Sequence, residues 1–170
     1  MLPRLVQLID TFTRWSGERI KWLTTILVIL IFGDVLLRYL FDTSKAWITD
    51  LEWHVFALIF LLAAAYTLKE NQHVRVDVLY TKWSARRKAW INLLGTGLFL
   101  LPWCLIVIYT SFEYTGHAFA IGEKSAEPGG LPARFLVKGS ITLGFVLLML
   151  QGISIAFKAL ITLRKTEEPA

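Results

Sequence analysis

Four blocks of apolar residues, each close to the length that crosses a lipid bilayer, constrain this chain more than any other feature of its sequence. They run over residues 22–41, 47–68, 90–112 and 139–163. About 20 apolar residues in a helix cross the hydrocarbon, and only helices or closed barrels satisfy backbone polar groups there. The second block is short unless it begins near Trp47 rather than Trp53. Four such helices use most of the 170 residues and leave no room for a separate soluble domain. The expected fold class is an all-α membrane protein: one membrane domain over residues 1–170, with four transmembrane helices.

The net charge of +5 raises the possibility of a nucleic-acid partner, but the placement of the charges argues for topology instead. Arg4, Arg14, Arg19 and Lys21 precede the first span. Lys69, Arg75, Lys82, Arg86, Arg87 and Lys88 lie between the second and third, and Lys158, Arg164 and Lys165 close the fourth. The other two connectors hold only Arg38, Lys45, Lys124, Arg134 and Lys138. Cytoplasmic loops collect Lys and Arg, so both termini and the middle connector are expected in the cytoplasm, with anionic phospholipids as a secondary partner and no nucleic acid. Before the first span, Leu5, Leu8, Ile9, Phe12 and Trp15 recur at helical steps between Arg4, Asp10, Arg14 and Glu18. That pattern predicts an N-terminal amphipathic helix in the membrane interface. Its charges also interrupt any signal-peptide core.

Few residues offer chemistry. Asp34 lies inside the first span, four residues before Arg38, so the two can neutralise each other on one helical face. Apart from this pair, the spans read as almost free of polar side chains, and no water-lined path is evident. The single cysteine, Cys104, excludes an internal disulfide and reads as an inert buried thiol. No nucleophile has a His and an acid nearby and no phosphate-binding loop is present, so an enzyme is not expected. Haem between His54 and His117 is an alternative, as is an independent small channel or exporter; His117 reads as loop, which counts against haem. Asp50, Glu123 and Glu127 read as solvated loop charges. The loop centre Glu127-Pro-Gly-Gly-Leu-Pro132 must be non-helical. Ala63, Ala64 and Ala65 in span two, and Ser140, Gly144 and Gly152 in span four, predict close helix contacts.

Several pieces occur in a telling order. Arg38-Tyr39-Leu40-Phe41 closes span one, and Trp47-Ile-Thr-Asp50 with Glu52 opens span two. The middle connector carries His73-Val-Arg75-Val-Asp77, and Glu127-Pro-Gly-Gly-Leu-Pro132-Ala-Arg134 precedes span four. In this order the chain resembles the small membrane subunit, DctQ type, of tripartite ATP-independent periplasmic (TRAP) transporters. Asp50 departs from that family, which more often has Glu there, but the charge is kept. The resemblance implies a multi-pass subunit of the bacterial inner membrane that anchors a large membrane subunit. A periplasmic substrate-binding protein would capture an organic acid, and sodium would be used by the large subunit, not by this chain. Asp34, from its depth in span one, and Arg38, Asp50, Glu52, His73, Arg75, Asp77 and Arg134, within or beside the matching pieces, are candidate assembly or structural residues, with Arg38, Asp50 and Glu52 expected to pair around the outer ends of spans one and two.

Overall fold

The structure is a computed structural model and describes residues 2–70 and 83–165. The middle-connector candidates His73, Arg75 and Asp77 lie outside the described residues. All described elements are helical: α1 (Leu2–Phe41), α2 (Ala46–Lys69), α3 (Ala85–Gly95), a π-helical turn (Thr96–Leu100), α4 (Leu101–Ala120) and α5 (Phe135–Lys165). Four helical stretches are long and apolar enough to cross a membrane, with α3, the π turn and α4 forming one of them.

Local chemistry sets the breaks. Asp42 adopts a left-handed conformation, φ 49°, and the Thr43 N–H returns to the Leu37 carbonyl, which ends α1 and allows a short turn into α2. Ser84 accepts a hydrogen bond from the Arg87 N–H and caps α3. Pro102 has no N–H to give to the carbonyl four residues back, and the π turn just before it absorbs the misfit: Leu101 N–H bonds to Thr96 O, five residues away. α4 continues to Ala120, beyond the expected end at 112, so His117 is helical and not in a loop. Gly122, φ 59°, then ends it, with the Glu123 and Gly122 N–H groups returning to Ala118 and Phe119.

The helices form an open row, not a closed bundle. α1 packs on α2, α2 on α5, and α5 on α4 and α3, with α1 also touching α5. Among the described residues α1 and α2 make no comparable packing with α3 or α4. α5 is the centre of the row and the most buried span, yet only 28% of its apolar window is buried within the chain. Small residues set the crossings. A Cβ on Gly17 would strike the Tyr66 ring, and one on Gly144 would lie 2.7 Å from the Leu61 carbonyl oxygen. Ala65 and Ser140 are buried as the small-residue pattern predicts.

Two expectations change here. The N-terminal segment is not a separate element: α1 is continuous over 40 residues, about 60 Å. Its buried stripe is Val6, Thr13, Gly17 and Ile20, while Leu5, Leu8, Phe12 and Trp15 face outward. The spans are also less plain than they read. Gln151 and Ser154 are fully buried, and the Ser111 and Thr142 hydroxyls meet at 2.8 Å between α4 and α5. Gln151, Ser154 and Lys158 recur at steps of three and four residues, so they line one face of α5. That row was legible in the sequence and was masked by the high average hydropathy around it.

The row holds the start of α1. Asp10 accepts hydrogen bonds from Ser154 at 2.7 Å and Gln151 at 3.3 Å, and pairs with Lys158 at 2.6 Å. Asp10 is partly exposed, so solvent screens much of the ion pair. Asp10→Ala is expected to raise amide hydrogen exchange in the first five turns of α1 about tenfold, equal to about 1.4 kcal/mol, and to leave exchange around Ser111 unchanged. Unaltered exchange in α1 would mean that the apolar stripe alone holds it.

Candidate functional site

Asp50 and Glu52 are two residues apart, so on a helix they point to nearly opposite sides of α2. That geometry separates the expected outer-end cluster into two sites.

The first lies between α1 and α2. Arg38 Nη2 reaches back one turn to Asp34 Oδ2 at 2.6 Å, as the four-residue spacing predicts. Asp34 is 4% exposed, whereas the Arg38 side chain is 54% exposed. Glu52 comes within electrostatic reach of both. Asp34 Oδ1 and Glu52 Oε1 are buried without a hydrogen-bond partner. One guanidinium therefore stands near two carboxyl groups and bonds to one of them, Asp34.

The second lies between α2, the 121–134 loop and α5. Asp50 is buried, and its Oδ2 accepts the Leu131 N–H at 2.9 Å; Ser125 also bonds to it, and Arg134 supplies opposite charge nearby. The loop is further tied by Ser125 N–H to Leu131 O, Gly130 N–H to Glu127 O and Arg134 N–H to Glu123 O. Lys138 pairs with Glu123 and sits 3.8 Å from the centre of the Tyr114 ring. Asp50 and Glu123 are thus structural partners and not the solvated loop charges that the sequence suggested. Only Glu127 of the three is exposed. Their role was hidden because each partner lies far along the chain or across the loop, where residue spacing gives no signal.

Beneath this loop is a cavity of about 240 Å³, lined by Asp50, His54, Ala57, Tyr114, Arg134 and Ile141 among others. Its walls are mainly apolar. His54 Nδ1 is buried without a partner, and the ring stacks on Trp53 at 6.4 Å. His117 is exposed on α4, a helix that does not pack on α2, so the two histidines do not form a facing pair. Among the described residues no three His, Cys, Asp or Glu side chains gather in a way that could hold a metal ion.

At the opposite end of α2, Lys69 pairs with Glu70 at 2.6 Å and holds that exposed carboxyl below its usual range. The three clusters—Asp34 with Arg38 and Glu52, Asp50 with Arg134, and Asp10 with Lys158—fix helix order and a loop. They contain no nucleophile set beside a general base.

Comparison with protein families gives a match over most of the chain. The family model described as "Tripartite ATP-independent periplasmic transporters, DctQ component" matches residues 27–162, which include the C-terminal part of the first membrane-length helix, all of the second and third, and most of the fourth. Comparison with curated proteins finds no match.

Proposed function

Because the chain belongs to the DctQ component family of tripartite ATP-independent periplasmic transporters, we propose that it anchors the large membrane subunit of a sodium-coupled, binding-protein-dependent secondary transporter for an organic acid. It is a small, multi-pass membrane component of a tripartite ATP-independent periplasmic transporter. The family works with a large membrane subunit and a substrate-binding protein. For this chain the proposed setting is a bacterial inner membrane with both termini in the cytoplasm, as the Lys and Arg distribution favours. The outward stripe Leu5, Leu8, Phe12 and Trp15 would then meet the lipid interface, with Arg19 stacked over Trp15 at 4.3 Å.

The open row of helices is the observation that carries the anchoring role. Transport pathways in membranes are built where helices enclose a cavity, commonly with broken helices and polar groups at mid-depth. Among the described residues α1 and α2 do not close on α3 and α4, so the row encloses no such route. It has two broad apolar faces instead, and exposed Phe56, Phe60, Phe99, Trp103 and Phe112 give it contact area for another membrane protein. Sodium and substrate chemistry are accordingly assigned to the large subunit.

The test is purification of the tagged chain from its native membrane, paired with uptake measurements after deletion. The expected result is one large polytopic protein recovered at fixed stoichiometry and loss of uptake in the deletion strain. A solitary chain with uptake intact would overturn the proposal.

A further inference from the structure

Among the described residues, the Asp34–Glu52 site sets two buried carboxyl groups against one guanidinium. Asp34 is almost wholly buried, and Arg38 occupies only its Oδ2. Asp34 Oδ1 has no donor, and neither has the buried Oε1 of Glu52 on the neighbouring helix. Arg38 is the cation within electrostatic reach of Glu52, and it is already committed to Asp34. A carboxylate surrounded by apolar surface persists only when paired or neutralised. The two helices that carry the site are both apolar enough to cross a membrane.

The surface beside the site is a track. Phe56 and Phe60 follow Glu52 at four-residue steps, so the three form one stripe along α2. The phenylalanines are 59% and 70% exposed. We propose that this stripe and the Asp34–Glu52 notch at its head dock a transmembrane helix of the large subunit, which brings one Lys or Arg to the two carboxylates. The inference rests on the subunit reading above. Charge selects the occupant: acyl chains would cover Phe56 and Phe60 but leave both carboxylates unmet, and anionic headgroups would be repelled. A basic side chain on an apolar helix meets both demands, and in the dehydrated contact it forms charge-assisted hydrogen bonds with the two free oxygens.

The experiment uses the co-expressed complex. The large subunit recovered per small subunit is measured for wild type, Glu52→Gln, Asp34→Asn with Glu52→Gln, and Glu113→Gln, an exposed change on α4. Thermal unfolding of each small chain alone is followed in parallel. Glu52→Gln is nearly isosteric and leaves the Arg38–Asp34 pair in place. It is expected to lower recovery about tenfold and the double variant further, with no loss of small-chain stability and no effect of Glu113→Gln. Glu52→Lys is expected to abolish recovery, and suppressor selection should return Lys or Arg to Glu changes in one helix of the large subunit. Full recovery with Glu52→Gln and with the double variant would overturn the proposal, because a shared proton or a lipid amine would then suffice. Failure of wild type to recover any large subunit would instead overturn the subunit reading and this inference with it.

Discussion

Gly144→Leu is expected to give the largest loss of stability of any single change in the described spans. Gly144 sits where α5 crosses α2, and a Cβ there would lie 2.7 Å from the Leu61 carbonyl oxygen and 3.0 Å from its carbonyl carbon. These are backbone atoms of a hydrogen-bonded helix, so they cannot rotate aside as a side-chain tip can. The helices must separate, and their separation opens the centre of the row, because among the described residues α2 packs on α5 and not comparably on α4. Overpacking of this kind costs typically about 1–3 kcal/mol, and the rigid backbone neighbour places Gly144→Leu near 3. The Tm of the detergent-solubilised chain should fall by roughly 6–12 °C.

Gly33 supplies the internal comparison. It lies in α1 with no atom within 4 Å of an added Cβ. Gly33→Ala should therefore be neutral or raise stability by up to about 1 kcal/mol through helix propensity. If Gly33→Ala and Gly144→Leu shift Tm equally, the close approach of α2 and α5 does not govern stability. The same contrast bears on function: a row whose centre has opened cannot present a fixed face, so recovery of the large subunit should fall with Gly144→Leu and persist with Gly33→Ala.

What the sequence disclosed and what it hid divide along a physical line. Block length and Lys/Arg placement report on the bilayer, a solvent that every residue meets independently, and so the four spans could be read residue by residue. The Asp34–Arg38 pair was equally legible, because a four-residue step on a helix fixes neighbours without knowledge of the fold. The close contact at Gly144 was expected from residue size, although its partner Leu61 was not. The end of α4 was misjudged: Glu113 and His117 suggested a loop, but this polar turn remains helical until Gly122 supplies a left-handed exit. Asp10 meets α5 from 144 positions away, and Asp50 meets Leu131 from 81. No local period encodes such pairs; they exist only once the row has formed. The arrangement of the row was hidden for the same reason, since amphipathic patterns that reveal a buried face in water are weak when lipid and protein interior are equally apolar.

Asp50→Ala should release the 121–134 loop. Asp50 is 6% exposed and accepts from the Leu131 N–H, with Ser125 as a second donor and Arg134 as a nearby positive charge. Alanine would leave the Leu131 N–H without its acceptor and remove the charge that faces Arg134. The remaining ties, Arg134 N–H to Glu123 O and Lys138 to Glu123, hold the base of the loop but not its tip. Loss of a buried charged acceptor costs about 2 kcal/mol, which corresponds to about a thirtyfold rise in the open population. When opening and closing are fast, proteolysis follows that population, so trypsin should cut after Lys124 about thirty times faster in Asp50→Ala than in the wild type. Asp50→Asn keeps an acceptor oxygen while losing the charge, and should fall between the two. Glu127→Ala, at an exposed position in the same loop, should leave the rate near that of wild type. Equal cleavage of Asp50→Ala and wild type would show that backbone bonds within the loop are enough to close it. The intermediate rate expected for Asp50→Asn separates the two contributions: a rate equal to that of Asp50→Ala would assign the effect to the Arg134 charge, and one equal to wild type would assign it to the Leu131 hydrogen bond.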